Sequence, residues 1–249
     1  MWKIVIFTVL FAVLAAGCVT NPVSGEAELR VISTAEEVAI GRNVDAEIRR
    51  EYNVVTGTTA AARVQRIGER IAAVSDRRDL EYHFALLESG ELNAFAAPGG
   101  FIYVTTETDR AAATDAELAA VIAHEVGHVA ALHSVNRMQR ALAKDIFLAL
   151  ILGEDQRRVA EAADIAFNAV IMTGFSRQDE LQADELGVKY SWKAGYDPYG
   201  LANFFVKLQE RNRETVVDKA FEFLRSHPVI SERRRRAEML AARYAAQER

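Results

Sequence analysis

The chain is 249 residues long, half of them hydrophobic, with 30 Lys and Arg against 35 Asp and Glu and a formal net charge of −5. That length and apolar content allow one domain with a full core. They exclude a small disulfide-stapled scaffold, as does the single cysteine, and the mildly acidic balance without a basic stripe excludes a nucleic-acid binder.

Lys3 precedes Ile4 to Ala16, a mostly apolar run, and then comes Gly17-Cys18. The run is too short to span a bilayer and has the shape of a signal-peptide core. Small residues ending in Cys18 are similar to a bacterial lipobox. Residues 1–17 are therefore read as a lipoprotein signal peptide, with Cys18 lipidated and the protein tied to a membrane by that lipid. An ordinary secretory signal or a short anchor is the alternative. Val19, where an Asp would signal inner-membrane retention, points to the outer membrane. Residues 18–32 are expected to be a tether, extended from Asn21 to Ile32, and 33–249 the folded domain.

Ser33 or Thr34, with Glu36 or Glu37 three residues on, predicts a helix start, and Ile40, Val44 and Ile48 fall on one stripe. Val64, Ile67, Ile71 and Val74 mark a second amphipathic helix. The period then changes. Tyr82 to Leu87, Leu92 to Ala96 and Phe101 to Thr105 read as short strands between Gly-containing turns. Asn93, Ala94, Phe95 and Ala96 form a candidate edge strand that can bind a peptide backbone by strand addition; an ordinary core hairpin is the other reading.

Thr114 and Glu117 make a capping box ahead of a helix that is apolar nearly all round and contains His124-Glu125-Val126-Gly127-His128. Histidines four residues apart on a helix share a face, so both imidazoles reach one ion. Glu125 sits where its carboxylate can serve as a general base beside that ion. Burying these polar groups is costly unless a metal or hydrogen bonds satisfy them. A catalytic zinc usually takes three protein ligands. The third comes from His83, His133, His227 or a downstream carboxylate. Ser176 caps a second helix in which Glu180 and Asp184, four apart, share a face, so that Glu180 can bind the ion and Asp184 can orient a ligand histidine; a solvated acidic face is the bland alternative.

Between these helices, Lys144 to Gly174 opens on seven apolar residues, Ile146 to Leu152, that serve either as core packing or as a lid. Asp197 with Pro198 and then Ser231 predict the caps of two C-terminal helices. Arg233 to Arg236 reads as a solvated face.

The zinc motif followed by Glu180-Leu181-Gln182-Ala183-Asp184 resembles the gluzincin peptidases of family M48. The resemblance continues through Asn93 to Gly100, Ala194 to Pro198 and Ser226-His227-Pro228, and Cys18 to Gly25 is similar to the start of small periplasmic lipoprotein members. It departs at Thr106-Glu107-Thr108, where members often carry Gly-Leu-Leu. It implies an α+β, predominantly helical, zincin-like metalloprotease core over 33–249, with a small sheet before the zinc helix. One Zn2+ per chain is expected on His124, His128 and Glu180, with Glu125 as general base and Asp184 behind a ligand histidine. His227 is expected near the site, as an oxyanion stabiliser or as a latch in the open zinc position. The family's His-Pro…Arg spacing also hints that Arg233 pairs with an active-site carboxylate. The implied activity is a zinc metalloendopeptidase of the bacterial envelope, on its periplasmic side, acting on proteins or peptides such as misfolded envelope proteins. The rival reading is a latched or inactive zinc-binding, chaperone-like lipoprotein.

Overall fold

The computed structural model describes residues 18–30, 32–140, 174–214, 227 and 230–247. The expected signal peptide and the stretch from 144 to 173 lie outside these residues.

Helix α1 (Thr34–Glu51) begins at the capping box of Ser33 and Glu36 and buries Val44 and Ile48, as the stripe predicts. Helix α2 (Thr59–Ala72) is capped by Thr58 and buries Val64, Ile67 and Ile71. Val74 falls just beyond its end and packs on the same core.

A four-stranded sheet holds β3 (Val54–Val55), β4 (His83–Leu87), β6 (Phe101–Thr105) and β5 (Ala94–Ala97) in that spatial order. Strand β6 runs parallel to β4 and antiparallel to β5. All five residues of β6 are buried, which accounts for its unbroken apolar run. Strand β5 is an edge strand, as the candidate reading of Asn93 to Ala96 requires. Where the chain departs from the family pattern, Thr105 caps a short helix α3 (Thr106–Ala111). There the Thr108 hydroxyl donates to the Asn93 carbonyl at 2.8 Å.

The expected extended tether is instead a hairpin of β1 (Cys18–Thr20) and β2 (Ala27–Leu29). Asn21 makes the difference. Its side-chain oxygen accepts the N–H groups of Val23 and Ser24, a local turn that a reading from composition overlooks. Asn136 then ties the hairpin to the domain by donating to Glu28.

Helix α4 (Asp115–Ala130) is the centre of the molecule. Thr114 and Glu117 form its capping box, and every residue from Glu117 to Ala130 is buried. It packs on α2, β5, α6 (Arg177–Lys193) and α7 (Gly200–Glu214). Among the described residues no single helix is long and apolar enough to cross a membrane. Two glycines set the approach of α4 and α6. A Cβ on Gly127 would lie 3.1 Å from the Ala183 carbonyl oxygen, and one on Gly187 would lie 3.2 Å from the His124 nitrogen. Only hydrogen side chains let these backbones come so close.

After α4 the chain turns through Leu132, at φ 61°, into a helix α5 whose described part is His133–Arg140, bent by 44° from α4. Two expected caps differ. Asp197 accepts the Tyr199 N–H in a turn ahead of α7, and Ser231 lies inside the first turn of α8 (Ile230–Ala245) rather than before it.

Candidate metal centre

The two helices bring together the residues that the spacing singled out. His124 and His128 project from α4, and Glu180 and Asp184 from α6, where Ser176 and Asp179 form the capping box. Donor atoms of His124, His128, Glu180 and His227 all lie within 4.8 Å of one another, and all four residues are buried. The His124 and His128 Nε2 atoms are 3.0 Å apart. Glu180 faces both, with Oε2 3.5 Å from His124 Nε2 and Oε1 3.3 Å from His128 Nε2. His227 Nδ1 lies 2.9 Å from Glu180 Oε1 and 3.3 Å from His124 Nε2. His83 is exposed and stacks on Phe101 away from the cluster, and His133 is not among the converging donors.

Asp184 and Arg233 stand behind the ligands. Asp184 Oδ1 is 3.0 Å from His124 Nδ1, a short but bent contact. The Arg233 guanidinium is 1% exposed, and its Nε and Nη2 each donate to Asp184 at 2.7 Å. Its Nη1 reaches Glu180 Oε2 at 2.6 Å, and its face lies over the Phe205 ring. The solvated-face reading is therefore overturned for Arg233. Burying a guanidinium is stabilised here by two carboxylates in bidentate and bridging contact. Arg235 on the same helix is exposed.

Electrostatics follow from this wiring. Burial alone would depress the His124 imidazole, but Asp184 and Glu180 raise its pKa to about 9. Burial pushes His128 well below the ordinary range and lowers His133 as well. Burial raises Glu125. Glu180 is held well below the carboxylate range, since His227, His124 and His128 outweigh its burial, and Arg233 does the same for Asp184.

Three observations show that these residues fit a divalent cation. Two imidazole nitrogens and a carboxylate, a donor set typical of zinc, converge on one point. Neither oxygen of buried Glu125 has a hydrogen-bond partner among the described residues, although His227 Nε2 stands 3.5 Å from Oε1. Finally, with the histidines neutral as metal ligands must be, the carboxylates of Glu125, Glu180 and Asp184 face one buried guanidinium among the described residues, that of Arg233, which leaves two negative charges for a cation to balance.

Phe175 escaped the sequence reading. Its ring stacks on His128 with centroids 3.9 Å apart, and the Arg137 guanidinium lies over the Phe175 ring, 5.7 Å from its centroid. Its place directly before the Ser176 cap was the available signal.

Comparison with known proteins agrees with the geometry. The sequence profile of Peptidase family M48 matches residues 58–241. The chain is 26% identical over 222 residues to the beta-barrel assembly-enhancing protease of Yersinia pestis, covering 84% of this chain and 45% of that protein. It is 25% identical over 223 residues to the protein of the same name from Escherichia coli K12, covering 86% and 45%. It is 27% identical over 222 residues to the mitochondrial metalloendopeptidase OMA1 of Schizosaccharomyces pombe, covering 87% and 64%. The chain thus spans about half the length of the first two relatives.

Proposed function

Because the chain belongs to peptidase family M48, we propose that it is a zinc metalloendopeptidase whose metal is held by His124, His128 and Glu180. The observation that carries this reading is the convergence of those three donors beside the unpartnered carboxylate of Glu125. When bound, zinc supplies Lewis acidity that polarises a scissile carbonyl and acidifies water. Glu125 takes a proton from the attacking water and delivers it to the leaving amine, so its carboxylate ends each turnover as it began. Burial raises its basicity for the first transfer. Asp184 orients His124, and Arg233 keeps both Asp184 and Glu180 anionic and fixed. The free edge of β5, which packs against α4, receives an extended substrate by strand pairing.

His227 supports a second state of the same enzyme. As one of four converging donors, its Nδ1 can occupy a ligand position, which makes it a latch over the centre. The chaperone-like alternative is the limit in which that latch never opens.

The substrates are proteins. The relatives' names refer to barrel assembly and to mitochondria, and the cysteine-terminated leader favours the bacterial envelope with a lipid anchor on Cys18. Misfolded envelope proteins are the corresponding substrate class. Palmitate labelling that vanishes in Cys18→Ala tests the anchor, and unchanged labelling rejects it.

Casein cleavage by wild type, Glu125→Gln and His227→Ala tests the chemistry. Glu125→Gln is expected to keep zinc and lose activity by about 100-fold to 10,000-fold, the usual contribution of a general base. Equal activity in wild type and Glu125→Gln rejects Glu125 as the base. Cleavage that appears only in His227→Ala identifies the latch.

A further inference from the structure

The His128 ring has two nitrogens, and only Nε2 faces the centre. Its Nδ1 points onto a short hydrogen-bonded chain that the mechanism above leaves unused. His128 Nδ1 is 2.9 Å from His133 Nδ1, and His133 Nε2 is 3.0 Å from Gln182 Oε1.

The direction of this chain is set at its far end. An amide oxygen only accepts, and the negative charge of Asp179, with Oδ1 3.7 Å from the same His133 nitrogen, also favours a proton there. His133 Nε2 therefore carries the proton. In a neutral imidazole the other nitrogen is then the acceptor, so His133 Nδ1 receives a hydrogen bond from His128 Nδ1–H. That leaves the His128 Nε2 lone pair facing the centre. The opposite wiring would set an unprotonated nitrogen against the Gln182 oxygen and put a proton on His128 Nε2, where it would block a metal.

We infer that His133 and Gln182 are positioning residues that fix His128 in its metal-binding tautomer. The inference rests on the zinc reading above and adds to it the means by which one ligand is made ready.

The backbone is bent to make this contact. In an unbroken helix, residues five apart lie about 140° apart around the axis, so position 133 would face away from the His128 ring edge. Leu132 breaks the helix instead, at φ 61°, and it is the one non-glycine with positive φ among the described residues. Such a conformation is strained for a leucine, whose Cβ crowds the following carbonyl oxygen. The 44° bend that results returns His133 to His128. Gln182 lies two residues from Glu180 on α6, so one helix supplies both a carboxylate ligand and the anchor of the chain. Phe175 stacks on one face of the His128 ring.

The test measures zinc affinity of the full chain by competition with a chromophoric chelator, together with ring nitrogen NMR of the zinc-loaded protein. His133→Phe keeps a ring but offers no acceptor, and is expected to weaken zinc binding about 10-fold to 100-fold, the usual effect of losing such a partner. In that variant the His128 Nδ1–H signal loses its hydrogen-bonded shift. His133→Asn places an oxygen near the position of Nδ1 and is expected to restore affinity to within about threefold. If His133→Phe does not fold, Gln182→Leu at the partly buried end of the chain decides, with an expected loss of about 10-fold. Affinities within about twofold of wild type, or His133→Asn no better than His133→Phe, overturn the inference and leave the zinc reading standing. A wild type that takes up no zinc overturns both.

Discussion

Arg233 is the residue on which the centre's charge balance turns. It is buried and contacts both Asp184 and Glu180; the run of arginines around it reads as a solvated face, and only the family's His-Pro…Arg spacing set it apart. Replacing it by Met leaves two buried carboxylates without their counter-charge. The expected loss is about 3–5 kcal/mol of stability, read from urea unfolding of the metal-free protein. A change below about 1 kcal/mol would mean that water already screens the pair. His124 sets the pH dependence. Its folded pKa of about 9 lies above the ordinary 6.5, so in the metal-free protein its stabilisation is complete below about 6.5 and is lost as pH rises through about 9. Zinc must displace that proton, so its own stabilising effect grows over the same window. The difference in Tm between zinc-loaded and chelated protein is expected to widen from about pH 6.5 to about pH 9, and a constant difference contradicts this account.

At the scale of elements, the centre exists because α4 and α6 lie close enough for side chains from each to meet. Gly127 and Gly187 allow that approach, each facing the other helix. Gly187→Ala places a methyl group 3.2 Å from the His124 nitrogen, tighter than normal packing. The expected cost is about 1–3 kcal/mol, with weaker zinc binding as the helices part. Unfolding and zinc titration of this variant would miss both effects if the helices can slide instead. Much at this scale was legible in sequence, because caps and periodicity are local. Thr114 with Glu117, Ser176, and the strands ending at Leu87 and Thr105 all fall where the pattern put them. The failures share a cause. The Asn21 turn and the start of α8 before Ser231 depend on partners that hydrophobic periodicity does not encode. The same holds for the contacts of Arg233, which periodicity read as solvated while the family's spacing hinted at a carboxylate partner.

Across the whole molecule, the buried helix α4, helix α6 and the C-terminal helix α8 bring together one buried cluster of acidic and histidine side chains. The converging cluster was legible in part: the His124 to His128 and Glu180 to Asp184 spacings each obey helical geometry. Spacing left the third donor open among His83, His133, His227 and a carboxylate, and the choice of Glu180 rested on the resemblance to family M48. The role of His133 was not legible. It depends on the left-handed turn at Leu132, and leucine there carries no sequence signal. The proposed function turns on His124, His128 and Glu180 holding a catalytic zinc ion. The most direct measurement is casein cleavage by chelator-stripped protein during zinc titration. No cleavage is expected after stripping, with full recovery at one zinc per chain. Undiminished cleavage by the stripped protein would contradict that role for zinc.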